Sequence, residues 1–189
     1  MTARQLLPIL VLLLATASAQ ARTDSPSDSA GITLLDQHGQ PTQLRQLRGK
    51  LLLLSFGYTY CPDICPTELA ALSRVLNALG TRAREVRGVF ISLDPQRDRP
   101  EVLKQYLAYF HHDLLGLTGS EEAVHEIARH YRVRYNKHTN KSGSYSLDHS
   151  ANLYIVDRQG RLSTIVPYGL PPEHVLRVVN GMLQATEQD

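Results

Sequence analysis

The chain has 189 residues, 42% of them hydrophobic and 20% charged, with 12 Gly and 10 Pro. That profile fits one ordinary globular domain and excludes a fibrous or disordered polymer. Twenty basic residues against 18 acidic ones leave a net charge of +2, so no charge excess draws the chain to nucleic acid or to an anionic membrane surface.

The first 21 residues read as a secretory signal. Arg4 supplies the positive region, Leu6 to Ala15 is almost continuously apolar, and Ala17-Ser18-Ala19 or Ala19-Gln20-Ala21 offers a small-residue cleavage site. The apolar run falls short of the roughly 20 residues of a membrane span, so an uncleaved inner-membrane anchor is the weaker alternative. No cysteine lies near the cleavage region, which argues against a lipoprotein. The leader is also too poor in Arg and Ser for a mitochondrial transit peptide. Export to a bacterial periplasm is the simplest expectation. Residues 22–31, rich in Ser and Asp with one Pro, read as a disordered tether, and residues 32–187 as the folded domain.

In that domain, Ile32 to Leu44 predicts a small hairpin turning near Gly39, with His38 in the turn. Leu51 to Phe56 is a continuous apolar run, as expected of a central strand buried on both faces, and Gly57 ends it. Then comes Cys61-Pro62-Asp63-Ile64-Cys65-Pro66, which holds the only two cysteines. A helical stripe of Leu69, Leu72, Leu76 and Leu79 predicts a helix from Thr67 to Gly80. Its free N–H groups and positive dipole end should favour a thiolate at Cys65.

Val86 to Leu93 predicts a second buried strand, ending at Asp94-Pro95. From Pro100 a helix buries Val102, Leu103, Tyr106, Leu107 and Phe110, with His111 and His112 at its end as dipole caps rather than metal ligands. Ser120 caps a further helix to Tyr131 whose inward face is Ala123, Val124, Ile127, Ala128 and Tyr131, leaving His125 and His130 solvated. Residues 132–150 alternate around the turn residues Asn140 to Gly143 and predict a protruding hairpin. It leads into a strand over Asn152 to Val156, another over Leu162 to Val166, and a last helix that packs Val175, Leu176, Val179 and Leu183. The order is that of an α/β, thioredoxin-like fold with an N-terminal β-hairpin extension and an inserted hairpin before the third core strand. In such a fold the loop after the first core strand and the segment before the third converge at one end of the sheet. His149 should therefore meet Cys61 and Cys65.

Three stretches together resemble the Sco/SenC family: Gly57 to Pro66; Ser92-Leu93-Asp94-Pro95-Gln96-Arg97-Asp98; and Leu147-Asp148-His149-Ser150 ahead of Tyr154-Ile155-Val156-Asp157. The resemblance runs from about Gly31 to the C terminus. It implies a domain that binds one copper, Cu(I) or Cu(II), through Cys61, Cys65 and His149. It further implies a role in assembling the binuclear copper centre of cytochrome c oxidase. The implied partners are the copper-accepting oxidase subunit and another periplasmic copper chaperone or thioredoxin-like reductase; a monomer is expected. Two soft thiolates with one imidazole favour Cu(I) and also hold Cu(II) or Zn(II). A structural disulfide is the bland alternative, but closing a five-residue loop contributes only about 2 kcal/mol.

The functional alternative is a thiol-disulfide reductase cycling Cys61 and Cys65. Against a general reductase stand the C-x-x-x-C spacing and the absence of Pro from residues 132–166, where thioredoxins place a cis-proline. Against a peroxidase stand the missing Thr-x-x-Cys setting and the lack of an apparent nearby arginine. Asp94 and Asp98 match the family's Asp-Pro-x-x-Asp stretch, as partner-docking or site-tuning acids, with helix capping equally apt for Asp98. Arg99 replaces the threonine usual in relatives. Asp148 neighbours His149 on a strand, so the two side chains point to opposite faces. Tyr58 and Tyr60 flank the cysteines and should pack against them.

Overall fold

A computed structural model describes residues 31–185; the leader and nearly all of the tether lie outside the described residues, as do residues 186–189. The predicted N-terminal hairpin forms from β1 (Leu34–Asp36) and β2 (Pro41–Thr42). Its turn is held by the Asp36 carboxylate, which accepts the N–H groups of His38 and Gln40, each at 2.8 Å.

All seven residues of β3 (Leu51–Gly57) are buried. The strand lies between parallel β4 (Val86–Ser92) and antiparallel β8 (Asn152–Val156). Because side chains alternate along a strand, β3 feeds two cores. Leu51 and Leu53 pack with α1 (Ile64–Ala78) and with α4 (Pro172–Ala185), through Leu69, Leu72 and Val179. Leu52, Leu54 and Phe56 pack on the other face with α3 (Glu121–His130), through Val124 and Ile127. A fully buried side chain of this kind contributes about 2 kcal/mol through the hydrophobic effect. That is why the apolar run fixes the middle of the sheet.

β8 continues antiparallel into β9 (Leu162–Pro167), and the complete sheet runs β2-β1-β5-β4-β3-β8-β9. Here β5 (Leu115–Thr118) is a strand the sequence does not predict. It joins the N-terminal hairpin to the core, pairing parallel with β4 and antiparallel with β1. Gly116 makes it possible: a Cβ there would come within 2.5 Å of Leu107 Cδ1, so only glycine lets α2 (Pro100–Leu107) lie on this strand.

Two helix boundaries differ from expectation. α1 starts at Ile64 rather than Thr67, which places Cys65 inside its first turn. α2 ends at Leu107 with Ala108 as its C-cap, so His111 and His112 lie beyond it and do not cap it. In α3 the Ser120 hydroxyl accepts the Ala123 N–H at 3.2 Å, as the sequence predicts. His125 is exposed, but His130 is half-buried edge-on against Tyr131, contrary to its expected solvation. The inserted hairpin, β6 (Tyr135–Thr139) and β7 (Tyr145–His149), forms a separate two-stranded sheet in which Tyr135 faces His149. Among the described residues no helix is long and apolar enough to cross a membrane.

Candidate metal centre

The centre is assembled where β3 ends, α1 begins and β7 ends. Gly57 closes β3 directly beneath Cys65, where a Cβ would lie 2.7 Å from the Cys65 sulfur and 3.0 Å from the Phe90 ring. Glycine is required there by close approach. Cys65 is 1% exposed, and burial, with Cys61 beside it, pushes its thiol well above the ordinary cysteine range. The expected thiolate at Cys65 is therefore absent from the metal-free protein.

The helix N-terminus acts on the other sulfur. Asp63, the N-cap, makes no side-chain capping bond. Instead the Cys65 N–H donates to Cys61 Sγ at 3.4 Å, so half-buried Cys61 takes one of the first-turn donors that a helix leaves unsatisfied. Both cysteines are free thiols.

His149 arrives from β7 with Nε2 3.3 Å from Cys65 Sγ and Nδ1 3.3 Å from the Ser150 carbonyl oxygen. Burial lowers its pKa, which favours the neutral ring. Nδ1–H then donates to the carbonyl, and the Nε2 lone pair faces the Cys65 S–H. Cys61, Cys65 and His149 each offer one ligand atom within 4.8 Å of the others. The side chains that the sequence places together are together. Asp148 takes no part: it is exposed and pairs across the hairpin with His138, Oδ2 to Nε2 at 3.0 Å.

The acids of the second stretch prove to be girders of the site. Asp98 is fully buried and accepts from the Thr59 N–H at 2.9 Å, the Thr59 hydroxyl at 2.6 Å and the Ser92 hydroxyl at 2.7 Å. It ties the cysteine loop to the end of β4 and is not a helix cap; Arg99 holds the N-cap position of α2 without a side-chain bond. Asp94 accepts from Arg97 Nε and, at 2.7 Å, from the Tyr145 hydroxyl.

Three side chains around the site escape the sequence reading. Arg97 donates through Nη1 to the Tyr145 carbonyl at 3.0 Å. Its guanidinium carbon lies 3.8 Å from the Tyr145 ring centre, 4.8 Å from that of Tyr60 and 5.5 Å from that of Tyr58. The Tyr58 ring in turn stands edge-on to His149 at 6.2 Å. An arginine is thus one aromatic ring away from the centre, which removes that objection to a peroxidase, although the Thr-x-x-Cys setting is still missing. Tyr145 is the second missed residue. The third is Glu68, one turn after Cys65 on α1, whose carboxyl burial pushes up to about 7. Arg97 alone could have been noticed, since it lies inside the Asp94–Asp98 stretch.

A second group of nearby donors, His111, His112 and Asp113, sits before β5 at the opposite end of the sheet. His111 Nδ1 already accepts the Asp113 N–H at 3.1 Å, and His112 is 82% exposed, so these donors form no built centre.

The sequence profile of the SCO1/SenC family matches residues 21–184. A SCO2-like protein of Rickettsia prowazekii is 39% identical over 130 residues, 68% of this chain; the chain spans 63% of that relative's length. The copper-bound structure of ScoI from Bradyrhizobium japonicum superposes with a TM-score of 0.75 at 39% identity, covering 80% of this chain and 96% of that one. Copper-bound yeast Sco1 gives 0.74 at 32% identity, covering 81% and 86%. In sequence, fold and the converging cysteines and histidine, the chain belongs to the SCO1/SenC family.

Proposed function

We propose that this protein is a periplasmic copper chaperone that binds one copper ion through Cys61 Sγ, Cys65 Sγ and His149 Nε2 and passes it to the copper-accepting subunit of cytochrome c oxidase. The observation that carries this is the 4.8 Å convergence of two soft sulfurs and one imidazole, a donor set suited to copper. Relatives solved with copper bound support it. Binding displaces the Cys65 proton, which the His149 ring faces, while the Ser150 carbonyl keeps Nε2 aimed inward. Cys61 and His149 are only half-buried. With three protein ligands, a fourth position stays open to an incoming acceptor, and open coordination suits transfer better than storage.

The test is copper titration of the purified protein. One copper per chain is expected, with a thiolate-to-Cu(II) charge-transfer band weakened or shifted in each of Cys61→Ala, Cys65→Ala and His149→Ala and lost when both cysteines are replaced. A band and stoichiometry unaltered in any one of these variants rejects the site.

Thiol-disulfide reduction of the acceptor is the alternative, favoured by the proximity of the two free sulfurs. The dithiol of Cys61 and Cys65 would become a disulfide as an acceptor disulfide becomes a dithiol, two electrons and two protons passing across. Turnover with an oxidised acceptor peptide in the absence of metal separates the two.

A further inference from the structure

We infer that Arg97 is a positioning residue of the centre: with Asp94 and Tyr145 it latches strand β7 to the body, and the latch determines whether His149 stays against the sulfurs. The inference rests on the proposed ligand set for its consequence, and on hairpin geometry for its mechanism.

The hairpin β6–β7 shares no backbone ladder with the seven-stranded sheet, and two strands alone are marginally stable in water. Beyond its short connections to α3 and β8, its placement therefore depends on side chains. Along β7, Tyr145, Leu147 and His149 share one face, half-buried, buried and half-buried in turn, while Ser146 and Asp148 are exposed. Leu147 sits in the core beneath α3 and β3. His149 lies over Cys65. Tyr145 is held four ways: its carbonyl accepts from Arg97 Nη1, its ring lies under the guanidinium, its hydroxyl donates to Asp94, and Lys137 Nζ covers its ring at 3.7 Å.

Arg97 is the common member. It grips Asp94 on its own loop, Tyr145 on the hairpin, and the rings of Tyr58 and Tyr60 in the cysteine loop. A planar fork with five donors can do this at once; the point charge of lysine cannot. With the latch broken, the hairpin keeps the buried Leu147, its backbone contact with the Tyr58 hydroxyl and the Lys137–Gln96 bond. His149 gains room to move off the sulfurs, while Cys65 stays in the first turn of α1 and Cys61 Sγ stays on the Cys65 N–H. A three-ligand centre then becomes a two-sulfur one.

The experiment uses the full chain carrying Arg97→Ala, Arg97→Lys or Tyr145→Phe. In metal-free protein, Arg97→Ala should speed hydrogen exchange in β6–β7 and leave β3 and β4 unchanged. In Cu(II)-loaded protein, it should diminish the nitrogen hyperfine coupling of His149 and keep the thiolate charge-transfer band. Chelator competition should show about 10- to 100-fold weaker binding, with no further loss when His149→Ala is added. Lysine should behave like alanine, and Tyr145→Phe should show a smaller effect of the same kind. Unchanged exchange and coupling, or losses that add fully to those of His149→Ala, would overturn the latch. Should Arg97→Ala fail to fold, Tyr145→Phe, which deletes only a hydroxyl, decides the same question. A wild-type protein showing no nitrogen coupling would reject the ligand set instead, and the exchange measurement would still judge the latch.

Discussion

Cys65 Sγ and His149 Nε2 lie 3.3 Å apart although 84 positions separate them in the chain. The imidazole faces a thiol that burial keeps protonated, and burial also lowers the pKa of the imidazole itself, favouring its neutral form. A soft metal can enter only as the Cys65 proton leaves.

Copper affinity should therefore rise with pH. Burial raises the Cys65 pKa and lowers that of His149, so a proton released on binding comes from the Cys65 thiol rather than from the imidazole. Each proton released strengthens apparent binding about tenfold per pH unit between roughly pH 6 and pH 8. Cys65→Ser should bind far more weakly and with a flatter profile. Chelator competition across that range measures it; a wild-type profile as flat as that of the serine variant would show that the Cys65 proton is not displaced.

Glu68 should make stability fall as pH rises. Its folded pKa is raised to about 7 by burial, above the ordinary carboxyl value. Its stabilising contribution is present below the unfolded value, declines from about pH 4.5, and is lost as pH passes through about 7. The gap corresponds to about 3 kcal/mol. Glu68→Gln should match the wild type near pH 5 and exceed it at pH 8. Urea unfolding of metal-free protein at both values checks this; an equal difference at the two pH values would contradict it.

Gly57→Ala should damage the centre without touching a ligand. The new methyl would overlap the Cys65 sulfur at 2.7 Å and press on Phe90 at 3.0 Å, and neither is a flexible surface chain. Overpacking of this kind costs about 1–3 kcal/mol. The displaced sulfur should also lose its contact with His149, weakening copper binding more than a remote variant of equal destabilisation. Denaturation together with copper titration tests it, and wild-type behaviour in both would refute the steric account.

Much of this architecture is legible in the sequence where period and burial agree. Leu51 to Phe56 can only be a central strand, and Ser120 with the face from Ala123 to Tyr131 can only be a capped helix. The meeting of Cys61, Cys65 and His149 follows from topology, since their loops share one end of the sheet. What stays hidden depends on tertiary contact. β5 is short and interrupted by Gly116, whose reason is the Leu107 side chain above it. Pro66 looks like a helix start, yet Cys61 supplies a side-chain acceptor that lets α1 begin at Ile64. Arg97 and Tyr145 are 48 positions apart, and no local pattern announces that a cation and a ring will meet.

Asp98 should decide how firmly the cysteine loop is held. Three donors converge on its carboxylate: the Thr59 N–H, the Thr59 hydroxyl and the Ser92 hydroxyl. Asp98→Ala strands all of them in a buried site, and an uncompensated buried donor costs about 1–3 kcal/mol. Asp98→Asn keeps the shape and one oxygen. The hydroxyls of Thr59 and Ser92 can turn to accept from its amide, whereas the Thr59 N–H cannot turn. The carbonyl should therefore stay with that N–H, and the loss should be roughly half that of alanine. Because Thr59 lies two residues before Cys61, the loosened loop should also expose the Cys61 sulfur. Thermal unfolding should rank wild type above asparagine and asparagine above alanine, and the rate of Cys61 alkylation in metal-free protein should run in the opposite order. An alanine variant with wild-type stability and unchanged alkylation would show that the loop is anchored elsewhere.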